Sequence, residues 1–144
     1  MGSDWRVELG TNIDKQDKMT RAELESARFA QFLEGVIAPA FQELSAEFNK
    51  HGRKATIRQT PNAATLSVAN GETEEIFYRI LARSLPVGIV PYAEVRMRKG
   101  QRLVKKEEGV KGVSSTATID QIRAADIIAS FLSYYRAALD SSQT

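Results

Sequence analysis

The sequence predicts an α+β fold in two layers: an antiparallel β-meander of about five strands, with a long N-terminal helix and a C-terminal helix packed on one face. Three observations predict it. Apolar residues recur at a helical period from Thr20 to His51, the period falls to two between Lys54 and Lys106, and it returns to 3.6 after Thr118. A meander with one apolar face needs a cover, and these two amphipathic segments are the only candidates. Residues 20–140 then form a single domain. Residues 1–19 read as a polar, flexible leader and 141–144 as a frayed tail.

The first helix is expected to open at Thr20, with Glu23 at capping-box spacing. Leu24, Phe29, Leu33, Val36, Ile37, Ala40, Phe41, Leu44 and Phe48 lie along one face, and Glu25, Arg28, Gln31, Glu34, Glu43 and Glu47 along the other. Unbroken, it would run about 48 Å at 1.5 Å per residue. Pro39 lacks an N–H and its ring meets the carbonyl of Gly35, so a bend is expected between them. Lys50 and His51 suit the negative end of the dipole, and Gly52 stops the helix. Ahead of it Trp5, Val7 and Leu9 alternate, which leaves a short strand or docked arm as the alternative to a loose leader.

Lys54 to Thr60 and Ala63 to Ala69 alternate as strands around the turn residues Pro61 and Asn62. Asn70-Gly71 is a strong hairpin signal before a longer strand, Glu74 to Ser84. Pro86 and Pro91 are expected to end that strand and impose an extended connection. Ala93 to Arg98 and Gln101 to Lys106 form a further hairpin about Gly100, and Val113 to Ala117 reads as a last short strand. Thr118 and Gln121 form a second capping box. Ile122, Ala125, Ile128, Ala129, Leu132, Tyr135 and Leu139 follow on one helical face.

The chain has 144 residues, enough for one core, and 42% apolar and 26% charged residues, ordinary for a globular domain. No apolar run approaches the roughly 18 residues that cross a bilayer, so no membrane role is expected and a cytoplasmic location is the default. Without cysteine there is no disulfide, thiol nucleophile or cysteine metal site. Net charge is +2 and uneven: −3 over residues 1–52, +6 over 53–118, −1 over 119–144.

The richest chemical cluster is the basic hairpin 94–106, with Arg96, Arg98, Lys99, Arg102, Lys105 and Lys106 as candidates for contacting nucleic-acid phosphates or another anion. A loop at Gly100-Gln101 opposes Arg96 to Lys105; a three-residue loop opposes Arg98 to Arg102. Like charges facing across a ladder repel, which invites an anion, although a charged edge hairpin also deters strand-on-strand aggregation. No aromatic is interleaved on the hairpin. The aromatic end of the last helix, Phe131, Tyr134 and Tyr135, is expected to turn one tyrosine outward as a partner surface. His51, the sole histidine, reads as a helix cap, and Asp126 as a surface carboxylate near Arg123. No catalytic residue, metal site or cofactor is expected.

The order of a leading helix, a meander, and a strand entering the proline-punctuated stretch Leu85-Pro86 through Pro91-Tyr92 resembles ubiquitin-conjugating and RWD-type folds over residues 20–99. The lack of cysteine excludes conjugating chemistry, and no functional residue carries over. The functional expectation is a non-enzymatic protein–protein interaction module or accessory subunit, working with a protein partner or by self-association. The alternative is a nucleic-acid-binding protein using the hairpin.

Overall fold

The computed structural model describes residues 4–99, 102–110 and 112–142. Helix α1 spans Asp4–Phe32, a π-helical turn spans Leu33–Ile37, and α2 spans Ala38–Lys50. Five strands follow: β1 Lys54–Thr60, β2 Ala63–Asn70, β3 Thr73–Leu85, β4 Gly88–Lys99 and β5 Arg102–Gly109. A 3-10 turn, Ile119–Gln121, leads into α3, Ala124–Ser142. The strands form one antiparallel sheet in the order β1-β2-β3-β4-β5, with the helices against one face. This is the two-layer arrangement the periodicity calls for.

The first helix starts at Asp4, ahead of the expected Thr20, so the alternation of Trp5, Val7 and Leu9 is not a strand. The proline is accommodated by the π turn, in which the Ala38 N–H reaches the Leu33 carbonyl. That turn also solves a packing problem. At 100° per residue, Ala40, Phe41, Leu44 and Phe48 centre roughly 80° around the helix from Phe29, Phe32 and Leu33. One extra residue in a wide turn removes about that drift, and both groups reach the same sheet.

The core joins the helices to strands β1 to β4. Tyr78 on β3 is fully buried, with Phe41 of α2 at 6.1 Å and Phe131 of α3 at 5.4 Å between ring centroids. Ala64, Leu66 and Val68 on β2 and Ala93, Val95 and Met97 on β4 flank it.

Three expectations fail on local chemistry. Leu85 pairs with Gly88, so Pro86 and Val87 make a tight hairpin where an extended connection was expected. Pro91 lies inside β4, just beyond the last β5 pair, Tyr92 with Gly109, where no β5 residue is paired with it. The resemblance to conjugating-type folds, drawn over residues 20–99, does not hold at that stretch. Val113–Ala117 is not a strand: the Ser114 hydroxyl accepts the Thr116 N–H at 3.3 Å, and its carbonyl accepts the Ala117 N–H at 3.0 Å, closing a turn. The capping box of Thr118 and Gln121 is present, but it closes the 3-10 turn. Helix α3 instead starts where the Asp126 carboxylate accepts the Arg123 N–H at 2.9 Å. Among the described residues no helix is long and apolar enough to cross a membrane. The turn at Gly100-Gln101 and the tail residues Gln143 and Thr144 lie outside the described residues.

Candidate functional site

The β4–β5 register settles how the basic hairpin is arranged. Arg96 faces Lys105, Lys99 pairs with Arg102, and Val95 pairs with Lys106. Because side chains alternate across a strand, the expected cluster divides. Arg96, Arg98 and Lys105 belong to the sheet face away from the helices. Arg102 and Lys106 belong to the face of Met97 and Val95, on the helix side. These five cations therefore do not form one patch, and the Lys99 side chain lies outside the described residues.

Arg96 is further committed within the fold. Its Nε and Nη2 donate to the two carboxylate oxygens of Glu74 at 3.0 and 3.3 Å, and its guanidinium lies 4.3 Å from the Phe77 ring centroid. Arg79 packs on Phe77 at 5.0 Å and reaches Glu94 at 3.7 Å. Arg83 covers Tyr92 at 4.3 Å and pairs with Glu107. Sequence inspection of the hairpin misses Phe77, which is brought beside Arg96 only by strand pairing. Among the described residues, Arg58, Arg98 and Lys105 on this open face take part in no ion pair.

A register shift between Val68 and Ala69 makes Glu74, not Glu75, the partner of Ala69. Glu74 reaches Arg96 on the open face, while Glu75 reaches the helix side. There its Oε1 accepts the Tyr135 hydroxyl at 2.7 Å and the Arg53 Nε at 3.0 Å. The bond to Glu75 raises the Arg53 pKa, with the bond to Tyr135 adding to it. Burial raises the Tyr135 hydroxyl, reinforced by Glu75.

The aromatic end of α3 is not an exposed surface. Phe131 is 0% exposed, Tyr134 2% and Tyr135 9%, so the expected outward tyrosine is corrected. Both hydroxyls are drawn inward by acceptors from the sheet. Tyr134 donates to Glu108 at 2.9 Å and lies 3.0 Å from the Gly109 carbonyl. Burial, then Glu108, raises its pKa. His51 is the residue that closes α2, its N–H bonded to the Phe48 carbonyl, with its side chain 3.8 Å from Glu47. Beside it an open cleft of about 600 Å³ runs between α2 and α3, lined by Leu44, Phe48, Ile128 and Leu132 with Glu43 and Glu47 at its rim.

Among the described residues, five of the eight exposed large apolar side chains lie on α1, the others being Leu85, Val87 and Leu103. Trp5 is 56% exposed, Val7 73%, Leu9 50%, Ile13 51% and Leu24 53%. At about 100° per residue, Trp5, Leu9, Ile13 and Leu24 share an arc of roughly 100°, while Phe29, Phe32 and Leu33 centre on roughly the opposite side. One helix thus carries two apolar stripes, of which its own sheet covers only the second. Comparison with family models, curated proteins and solved structures finds no match to this chain.

Proposed function

We propose that the protein is a non-enzymatic interaction module that works through the N-terminal arm of α1, residues 4–28, contacting a second copy or another subunit. The observation that supports this reading is the apolar stripe of Trp5, Leu9, Ile13 and Leu24, exposed on a helix whose opposite stripe is anchored in the core. Aromatic and aliphatic side chains in a row on a helix are the anchors of helix-in-groove and helix-pairing contacts. Anchoring at Phe29 and Phe32 holds the base of the arm, which lowers the ordering cost of docking.

The test compares the native chain with a Trp5→Ser/Leu9→Ser/Ile13→Ser variant by light scattering over a concentration series, and by affinity capture with each as bait. The reading expects a complex formed by the native chain and lost in the variant. A monomeric native chain that captures nothing the variant does not would overturn it. The competing reading, phosphate contact by the hairpin as one patch, has weaker support, because Arg96, Arg98 and Lys105 are divided from Arg102 and Lys106 and Arg96 is held by Glu74.

A further inference from the structure

We infer that the open face of the β-sheet, as distinct from the hairpin tip, is a binding surface for single-stranded nucleic acid. The helices pack on the other face, so among the described residues no element covers this one. Its charge is one-sided. Lys54, Arg58, Arg79, Arg83, Arg96, Arg98 and Lys105 stand against the carboxylates Glu74, Glu94 and Glu107, an excess of four positive charges. Edge protection does not account for this distribution. It suits Lys54 and Arg58 on β1 and Lys105 on β5, the two edge strands, but Arg79, Arg83, Arg96 and Arg98 stand on the interior strands β3 and β4.

The order of groups across the face matches the chemistry of an unpaired strand. One cross-strand row runs Thr56, Ser67, Phe77, Arg96, Lys105 over all five strands. Four spacings of about 4.8 Å make that row about 19 Å wide. Hydroxyls stand at one end, cations at the other, and a ring with stacked guanidinium groups in the middle. Tyr92 with Arg83 repeats the ring-and-guanidinium pair farther along β3 and β4. Unpaired bases stack on aromatic rings and on arginine planes, while phosphates take lysine, arginine and hydroxyl donors. In a duplex the base faces are closed, so a flat platform of this kind favours single strands. The three glutamates hold Arg79, Arg83 and Arg96 over the rings, leaving Lys54, Arg58, Arg98 and Lys105 to meet phosphates.

The experiment measures anisotropy of labelled oligothymidine and oligouridine with the full chain over a range of salt, against a duplex of equal length. Four phosphate contacts on a single strand predict a slope of log affinity against log salt of about −3. An Arg58→Glu/Arg98→Glu/Lys105→Glu variant should bind about tenfold weaker or worse. An Arg102→Glu/Lys106→Glu variant, which alters the other face of the same hairpin, should lose less than about threefold. Phe77→Leu should narrow the preference for single strands over duplex. Circular dichroism melting of each variant confirms that it is folded. No binding at low salt, equal losses in the two charge-reversal variants, or equal affinity for duplex would overturn the inference. The arm variant with serines at 5, 9 and 13 should bind oligonucleotide unchanged, which separates this surface from the proposed protein contact.

Discussion

The hydroxyl oxygen of Tyr78 lies 3.0 Å from Oγ of Ser130, and both side chains are fully buried. This bond ties the middle of the sheet to α3 at the point where the ring also packs on Phe41 and Phe131. Removing one partner leaves a polar group in the core short of a bond, which costs about 1–3 kcal/mol, whereas removing both costs less than the sum. Urea unfolding of Ser130→Ala, Tyr78→Phe and the double variant should therefore show destabilised singles and a sub-additive double. An additive cycle would mean that the bond carries no coupling.

The buried tyrosines also set an alkaline limit. Burial pushes the Tyr78 pKa from 10.0 up to about 12, with the Ser130 bond opposing the shift, and burial raises Tyr134 and Tyr135 as well. A folded pKa above the unfolded one means that the unfolded chain releases protons first as pH rises. Stability is then fully held below pH 10.0 and falls as pH climbs through about 12. Unfolding midpoints measured across that window should drop, and drop less steeply in Tyr78→Phe. An identical slope in the variant would remove Tyr78 as a cause.

One substitution should act with opposite sign at two glycines. Gly88 has φ 131°, and a Cβ there would meet Thr118 Cγ2 at 3.2 Å. Gly88→Ala should cost more than about 1 kcal/mol, through the strained backbone and that contact. Gly35 sits exposed in the π turn with open space around a Cβ. Gly35→Ala should stabilise by about 0.4–1 kcal/mol, because alanine restricts the unfolded chain. Thermal melts of the pair test both signs at once.

Within α1 the two apolar stripes should separate cleanly. Phe29 is buried and lies 6.1 Å from Phe32 between ring centroids, so Phe29→Ala should cost about 3–5 kcal/mol. Trp5→Ser, Leu9→Ser and Ile13→Ser, on exposed positions, should each change monomer stability by less than about 0.5 kcal/mol. A large loss from the serine variants under monomeric conditions would show that the arm is part of the core.

Much of the architecture was legible because the apolar period itself changes along the chain. The alternation of Leu66 and Val68, and the helical spacing of Ile128, Leu132 and Tyr135, place helices and strands without further help. Polar residues misled where their meaning depends on partners distant in sequence. One of Tyr134 and Tyr135 reads as outward until Glu108 and Glu75 supply acceptors for both hydroxyls, and Glu75 itself is re-aimed by a register shift that no local pattern announces. The hairpin cations read as one patch because the eye sums charge along the sequence, whereas strand alternation divides it by parity. The exposed stripe of the arm was missed because Trp5, Val7 and Leu9 suggest a period of two. Only the pairing of Leu9 with Ile13 and Leu24 reveals the helical arc.

Site-specific photo-crosslinking in the protein's own cells tests the interaction reading most directly. With a benzophenone side chain at Leu9, the account predicts a discrete covalent adduct to a protein chain. The same probe at the exposed Asp120, outside the arm, should give none. An absence of adducts at Leu9, or the same adducts at both positions, would contradict it.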